Sequence, residues 1–419
     1  MRTIPILLLG LTATVSAGAA AQVLGPVGRT VGAVGGVVDG VTGQVLDPLA
    51  EQTGALLSNV RQLAADRISR LATLVQRNRD TLELDDRGNP AVRGEVLGVD
   101  IGPAGIEAAR KAGFTLIDQS EIGDLGIRTA RFAAPEGMSL TRALRTIRKA
   151  APGEWTANQL HFESGAATLP TASLLAASPP AGSAKIGMID GGIGQHPSLS
   201  GPIEQRGFVV SAPQPSAHGT AIAALMVGEG SLRGVLPGAP LLAADVYGKT
   251  PVGGNALAIA QAIGWMTGRR VTVISISLVG PSNPLLAKTV AAARGRGAFI
   301  VAAVGNDGPA APPAYPASYP GVIAVTGVDG RNHALIEAGR ALHVDYAAPG
   351  ADMLGAKPGG GTIPLRGTSY AAPLVAARLA ALPSPSVAAL DREAIDLGKR
   401  GPDKIYGRGL VCGQCRIKP

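Results

Sequence analysis

Between residues 185 and 382, short apolar runs of β-type alternate with Ala-rich stretches of helical length. The runs 186–189, 241–246, 271–278, 298–304 and 322–326 have no continuous polar face. Helical patterns fall at 220–226, 256–266, 285–293 and 371–382. A strand that is apolar on both sides must be covered on both sides, and crossover helices supply that cover when the strands run parallel. The alternation therefore predicts an α/β domain built on a doubly wound parallel sheet. In such sheets, functional groups collect beyond the carboxyl ends of the strands.

The chain has 419 residues, too many for this domain alone, and what precedes it divides by texture. Arg2, the apolar stretch 4–11 and Ala19-Ala20-Ala21 form a signal-peptide pattern over 1–21, which predicts export to a periplasm or beyond the cell. The apolar stretch is too short for a stable membrane span. A Gly/Val-rich leader occupies 22–50. In 51–90, Leu56, Leu57, Val60, Leu63, Ile68, Leu71, Leu74 and Val75 recur at helical spacing, before a turn at Asp85, Asp86, Gly88 and Pro90. Residues 91–163 read as strand 92–99, helix 105–112, strands 114–117 and 127–132, helix 140–150 and strand 155–162. That order predicts a small split-βαβ, ferredoxin-like α+β unit. Residues 164–184 carry no charge and are rich in Ser, Ala, Gly and Pro, as in a linker or processing region. The α/β domain follows over 185–411, with a tail at 412–419.

Charge and cysteine content narrow the function. The net charge of +8 arises wholly beyond residue 182, where Lys and Arg number 21 against 13 Asp and Glu. These cations are scattered, with no basic run or interleaved aromatics, so nucleic acid is not an expected partner. Cys412 and Cys415 are the only cysteines. A local disulfide is the first reading of the pair, and half of a tetrahedral zinc site the second.

Four polar residues stand where the sheet pattern places function. Asp190 ends the run 186–189 and precedes Gly191-Gly192. His218 opens an apolar helix in Ala217-His218-Gly219-Thr220. Asn306 follows the run 298–304 in Gly305-Asn306-Asp307-Gly308, and Ser369 enters an Ala/Leu helix in Gly367-Thr368-Ser369-Tyr370-Ala371-Ala372-Pro373. Each has an ordinary reading alone: a loop anchor, a surface histidine, a left-handed turn, an N-cap. Each also has a chemical one, since a serine at a helix N-terminus has free backbone N–H groups near its hydroxyl.

Taken in order, Asp, His, Asn and Ser, with their flanking residues, the sequence resembles the subtilisin-like serine proteases over roughly 184–411. Gly367-Thr368-Ser369-x-Ala371-x-Pro373 is the most specific element. The resemblance implies a serine endopeptidase acting on protein or peptide substrates. Asp190, His218 and Ser369 would be its triad, and Asn306 with the Ser369 N–H its oxyanion hole. It further implies a substrate-pairing edge at Ser277, Leu278 and Val279, and a first specificity pocket bordered by Ala303 and Gly305. The unit at 91–163 resembles the propeptide of these proteases, an intramolecular inhibitor removed by processing.

Several positions depart from the family pattern. Gly191 replaces a hydroxyl residue, and Val279 replaces a glycine on the substrate edge and narrows the cleft. No cofactor is expected: Ser198 stands where a calcium-ligating carboxylate is frequent, and the 228–236 loop is poor in oxygen ligands. A catalytically silent binding protein of the same fold is the alternative reading.

Overall fold

The computed structural model describes the backbone of residues 50–164, 166–167 and 185–417, and the side chains of 58–164 and 185–417. The signal-peptide and leader patterns and most of the 164–184 segment lie outside the described residues.

The first element is helix α1 (Ala50–Arg77). Val60, Leu63, Ala64, Ile68, Leu71, Leu74 and Val75 lie at least partly buried along one stripe, flanked by the partly buried Arg67 and Thr73, while most other positions between them face solvent. Asn78 closes the helix, its side-chain amide donating to the Leu74 carbonyl at 2.9 Å. There follow β1 (Leu82–Leu84), β2 (Pro90–Val99), α2 (Pro103–Lys111), β3 (Thr115–Glu121), β4 (Arg128–Ala133), α3 (Leu140–Ala150) and β5 (Glu154–Gln159). The long β2 is central and pairs antiparallel with β1, β4 and β5, while β3 pairs with β4. The amphipathic α3 presses Leu140, Leu144 and Ile147 onto one sheet face with Phe132 and Trp155, whose rings meet edge to face. The other face carries Leu97, Val99, Ile122 and Ile127 into the core of the following domain.

The chain leaves this sheet earlier than the 155–162 pattern suggests. At Leu160 and His161 it turns to bond Asn255 and Gly254 and runs on as β6 (Phe162–Glu163), paired elsewhere. Two short strands follow, β7 (Ala166–Ala167) and, past the undescribed segment, β8 (Ile186–Asp190), which begins the α/β domain. Its remaining elements are β9 (Gly192–Ile193), β10 (Ile203–Gly207), β11 (Pro215–Ser216), α4 (Ala217–Val227), β12 (Leu241–Asp245), α5 (Ala256–Gly268), β13 (Val273–Ile276), β14 (Leu278–Val279), α6 (Pro284–Gly295), β15 (Phe299–Ala303), β16 (Ile323–Val328), β17 (Tyr346–Pro349), β18 (Ala351–Ala356), β19 (Thr362–Arg366), α7 (Thr368–Ala380) and α8 (Val387–Glu393).

Seven strands form one parallel sheet in the order β10-β12-β8-β13-β15-β16-β17. Ile186, Met188, Val273, Val301 and Ala303 point to the side covered by α4 and α7. Ile189, Ile274, Ile276, Ile300 and Ala302 point to the side covered by α5 and α6. This is the two-faced burial that the apolar runs require, each fully buried Ile or Val contributing about 1.5–3 kcal/mol. The edge strands β10 and β17 escaped the pattern because β10 has three exposed polar residues and β17 is a short run ending in proline. The predicted run 271–278 breaks at Ser277, leaving β14 to pair elsewhere.

The C-terminal tail belongs to the same body. Leu354 N–H donates to the Ile417 carbonyl at 2.7 Å, Ile417 is buried, and Cys412 and Cys415 form a disulfide. Among the described residues, no helix is long and apolar enough to cross a membrane.

Candidate active site

The carboxyl ends of β8 and β15 and the first turns of α4 and α7 converge. Asp190, the last residue of β8, is fully buried, and its Oδ1 accepts from Gly191 N–H at 2.7 Å and from His218 Nδ1 at 2.8 Å. The imidazole is presented by the first turn of α4, which Ser216 caps by accepting from Gly219 N–H at 2.8 Å. This cap explains the glycine at 191: a Cβ there would lie 2.6 Å from Ser216 Oγ, so the hydroxyl-bearing residue of the common pattern does not fit. Gly219 is equally constrained, since a Cβ would meet the Gly191 carbonyl at 2.2 Å.

Ser369 sits in the first turn of α7 behind Gly367, whose φ of +143° suits glycine. Its backbone is held from the sheet side by Ser277, whose hydroxyl donates to the Ser369 carbonyl at 2.8 Å. Ser369 Oγ and His218 Nε2 are both buried and have no hydrogen-bond partner. Asn306 is fixed by its other end: Oδ1 accepts from Thr368 N–H at 2.9 Å, which directs Nδ2 outward. Thr368 Oγ1 ties the loop to α7 through Gly305 N–H and the Gly305 carbonyl, each at 3.1 Å.

The chain's own segment before Gly165 lies across this site. β6 pairs antiparallel with β14, Glu163 opposite Leu278 and Phe162 opposite Val279. Ser164 N–H and Oγ both donate to the Ser277 carbonyl, at 3.2 and 3.1 Å. The Ser164 carbonyl accepts from Ser369 N–H at 3.2 Å and from Asn306 Nδ2. Beyond Gly165, β7 pairs antiparallel with β19. The carbonyl of the Ser164–Gly165 peptide bond is thus held by two donors, with strand pairing on both sides of it.

The other anticipated residues divide by role. Leu278 contributes its backbone to the pairing while its side chain is core, and Ala303 is core as well. Val279 lies against Gly305, where a Cβ would meet its Cγ1 at 3.3 Å. Ser198 lends its carbonyl to Glu229 N–H, and the Glu229 carboxylate accepts from Ser200 Oγ at 2.7 Å.

The electrostatics center on His218. Burial works against its charged form, but the charge and hydrogen bond of Asp190 outweigh it and, with Glu163, hold the imidazole above its ordinary range. Glu163, whose side chain is 36% exposed, is pushed up to about 7 by partial loss of solvent and by Asp190 and Asp245, against the pull of His218. Burial drives His161 down to about 4, against backbone carbonyls nearby. Glu163, Asp190 and His218 form the one metal-type trio among the described residues. Asp190 Oδ1 and His218 Nδ1 already bond to each other, so the trio is a hydrogen-bonded pair beside a second carboxylate.

Sequence reasoning missed His161, Glu163 and Ser164 as occupants of the site. Nothing in their composition marks them; the usable signal was the end of the strand pattern just before a charge-free segment.

Known proteins resemble the chain over its α/β domain. The profile of the Subtilase family (peptidase S8) matches residues 182–395. Subtilisin Savinase of Lederbergia lenta is 34% identical over 245 residues, 54% of this chain and 88% of that protein. Minor extracellular protease Epr of Bacillus subtilis (strain 168) is 30% identical over 241 residues, 54% of this chain and 37% of that protein. The chain thus spans little more than a third of one relative and most of another. Among solved structures, fervidolysin from Fervidobacterium pennivorans, a keratinolytic enzyme related to subtilisin, matches with a TM-score of 0.66 over 79% of this chain and 61% of that one, at 19% identity, a likeness of fold. With the profile covering half of the residues and a relative matched over nearly its whole length, the chain belongs to the subtilase family.

Proposed function

We propose that this protein is an exported serine endopeptidase whose first substrate is its own chain, cut between Ser164 and Gly165. The observation that carries the proposal is the Ser164 carbonyl oxygen, which accepts from Ser369 N–H and Asn306 Nδ2 at once. Two preorganised donors aimed at one carbonyl are what stabilises the charge of a tetrahedral intermediate.

In this reading Ser369 Oγ attacks the carbonyl carbon of Ser164 and passes its proton to His218 Nε2. Asp190 holds Nδ1–H and stabilises the imidazolium. The imidazolium then protonates the departing Gly165 amine, leaving the Ser164 acyl group on Ser369 Oγ. Water, deprotonated by His218, completes hydrolysis. All the groups used belong to the chain itself, and no metal or organic cofactor enters the reaction. Substrates in trans pair with Ser277, Leu278 and Val279 as β6 does, and Ala303 and Gly305 lie beside the first side-chain pocket.

The segment ahead of the cut, which includes the sheet unit 82–164, is then the propeptide: after the cut, β6 still occupies the substrate edge, so the released segment inhibits until it departs. The 1–21 pattern supports export. A fluorophosphonate probe and N-terminal sequencing test the proposal together. Wild type should label at Ser369 and yield a new N-terminus at Gly165, and Ser369→Ala should do neither. A folded wild-type chain that stays intact and unlabelled would sink it.

A further inference from the structure

Helix α1 is not part of the antiparallel unit that follows it, yet it is docked on the loop that carries Asn306. Leu63, Arg67 and Arg70 are three or four residues apart and so share one face of the helix. Arg67 Nε donates to Asp307 Oδ2 at 3.1 Å, and Arg70 Nη2 donates to Asp307 Oδ1, so two guanidinium groups share one carboxylate. The Asp307 side chain is 26% exposed and that of Arg67 is 23% exposed, which shelters this part of the contact from water. Leu63 lies on Gly308, where a Cβ would come within 3.1 Å of its Cδ1. Gly308 has a φ of +83°, so the flat surface beneath Leu63 suits glycine on both counts.

We infer that the loop 306–308 is a docking surface for a basic amphipathic helix. Its occupant is α1, which makes the N-terminal segment a tighter and more salt-sensitive inhibitor than residues 82–164 would be alone. The inference rests on the self-cleavage reading above. The contact is one residue from Asn306, whose side chain reaches the Ser164 carbonyl. It also involves no residue of the cut segment, so it outlasts cleavage. A helix and a strand that grip the same site from separate points leave together less readily than either alone, because each holds the other at high local concentration.

The experiment uses the full chain and reads two events: appearance of the Gly165 N-terminus, and labelling of Ser369 by a fluorophosphonate probe. In wild type, labelling should lag behind cleavage, and raising salt should shorten the lag, since the Arg70 side chain of this contact is 66% exposed and exposed charge pairs are screened. Arg67→Gln with Arg70→Gln should still cleave but shorten the lag about threefold to tenfold and remove most of its salt dependence. Asp307→Asn should do the same from the other side of the contact. Combining all three should add nothing further, as expected for partners in one interaction. Cleavage in every variant with unchanged lag and salt response overturns the docking role alone, as does full additivity. Absence of cleavage in wild type removes the self-cleavage reading and this inference with it.

Discussion

The side-chain amide of Asn306 donates to the backbone carbonyl of Ser164, a residue 142 positions earlier in the chain. The Ser369 N–H reaches the same oxygen at 3.2 Å from farther still along the chain. If that oxygen becomes an oxyanion, Asn306→Ala removes one of its two donors while leaving the strand pairing on either side. The Thr368 N–H also loses its acceptor, at a cost of about 1 kcal/mol, which the fold tolerates. Self-cleavage should slow about 100- to 1,000-fold, measured by the time course of the Gly165 N-terminus. Circular dichroism should show an unchanged fold. A change of less than threefold would mean that the amide contributes nothing at the transition state.

A second prediction concerns the wall formed by Val279 and Gly305. Val279 lies against Gly305, at the border of the first side-chain pocket proposed above, and Ser164 Oγ donates to the Ser277 carbonyl. Ser164→Phe should therefore slow self-cleavage about 10- to 100-fold, the scale on which a pocket discriminates by size. Adding Val279→Gly to that chain should restore most of the rate, and in trans it should extend cleavage from Ala or Ser to Phe before the scissile bond. Equal cleavage of Ser and Phe by the unaltered chain would show that the wall is not limiting.

How much of this was legible beforehand follows from where each signal resides. The sheet was readable because Ile186, Met188 and Ile189 answer to two cores at once, a demand that makes the run apolar at successive residues instead of alternate ones. Asp190, His218, Asn306 and Ser369 were readable because a strand end or helix start brackets each one. The role of Gly191 was not, since the reason for it is Ser216, which lies 25 positions away and reaches it only in space. Ser277 was expected on the substrate edge, and its carbonyl is there, but its hydroxyl turns inward to hold Ser369. The seating of 161–164 left no trace because antiparallel pairing to β14 uses backbone atoms, which every residue has.

Glu163 makes a third prediction, on the pH dependence of self-cleavage. His218 accepts a proton from Ser369 only when neutral, and the negative charges of Asp190 and Glu163 favour its protonated form. Glu163→Gln removes the second of these charges, which is present where Glu163 is ionised, around pH 7 and above. The imidazole should then lose its proton at lower pH, and the acid limb of the self-cleavage profile should move down the pH scale. Rates measured from pH 5 to 8 test this, and a limb that stays in place or moves upward contradicts it. Cleavage of a peptide in trans that lacks an acidic residue at this position should have the lower limb already.

The same segment carries two opposed proton linkages, and this yields the last prediction. Seated, Glu163 titrates at about 7 against an ordinary value of 4.5. Between those values the unseated chain gives up its proton first, so seating weakens as pH rises from 4.5 to 7. Seated, His161 titrates at about 4 against an ordinary 6.5. There the unseated chain takes up a proton that the buried ring refuses, so seating weakens as pH falls from 6.5 to 4. The two effects oppose each other across the overlap, and in the parent chain they flatten the response. Single substitutions in a Ser369→Ala background, which keeps the segment uncut, should separate them. Glu163→Gln should gain Tm relative to the parent as pH rises from 4.5 to 7. His161→Phe should gain Tm relative to the parent as pH falls from 6.5 to 4, the underlying stability difference being on the order of 3 kcal/mol for a shift from 6.5 to about 4. Because the comparison is between slopes, a constant loss of packing at either position does not affect it. Two variants whose difference from the parent is independent of pH would show that neither group is held out of solvent by the cleft.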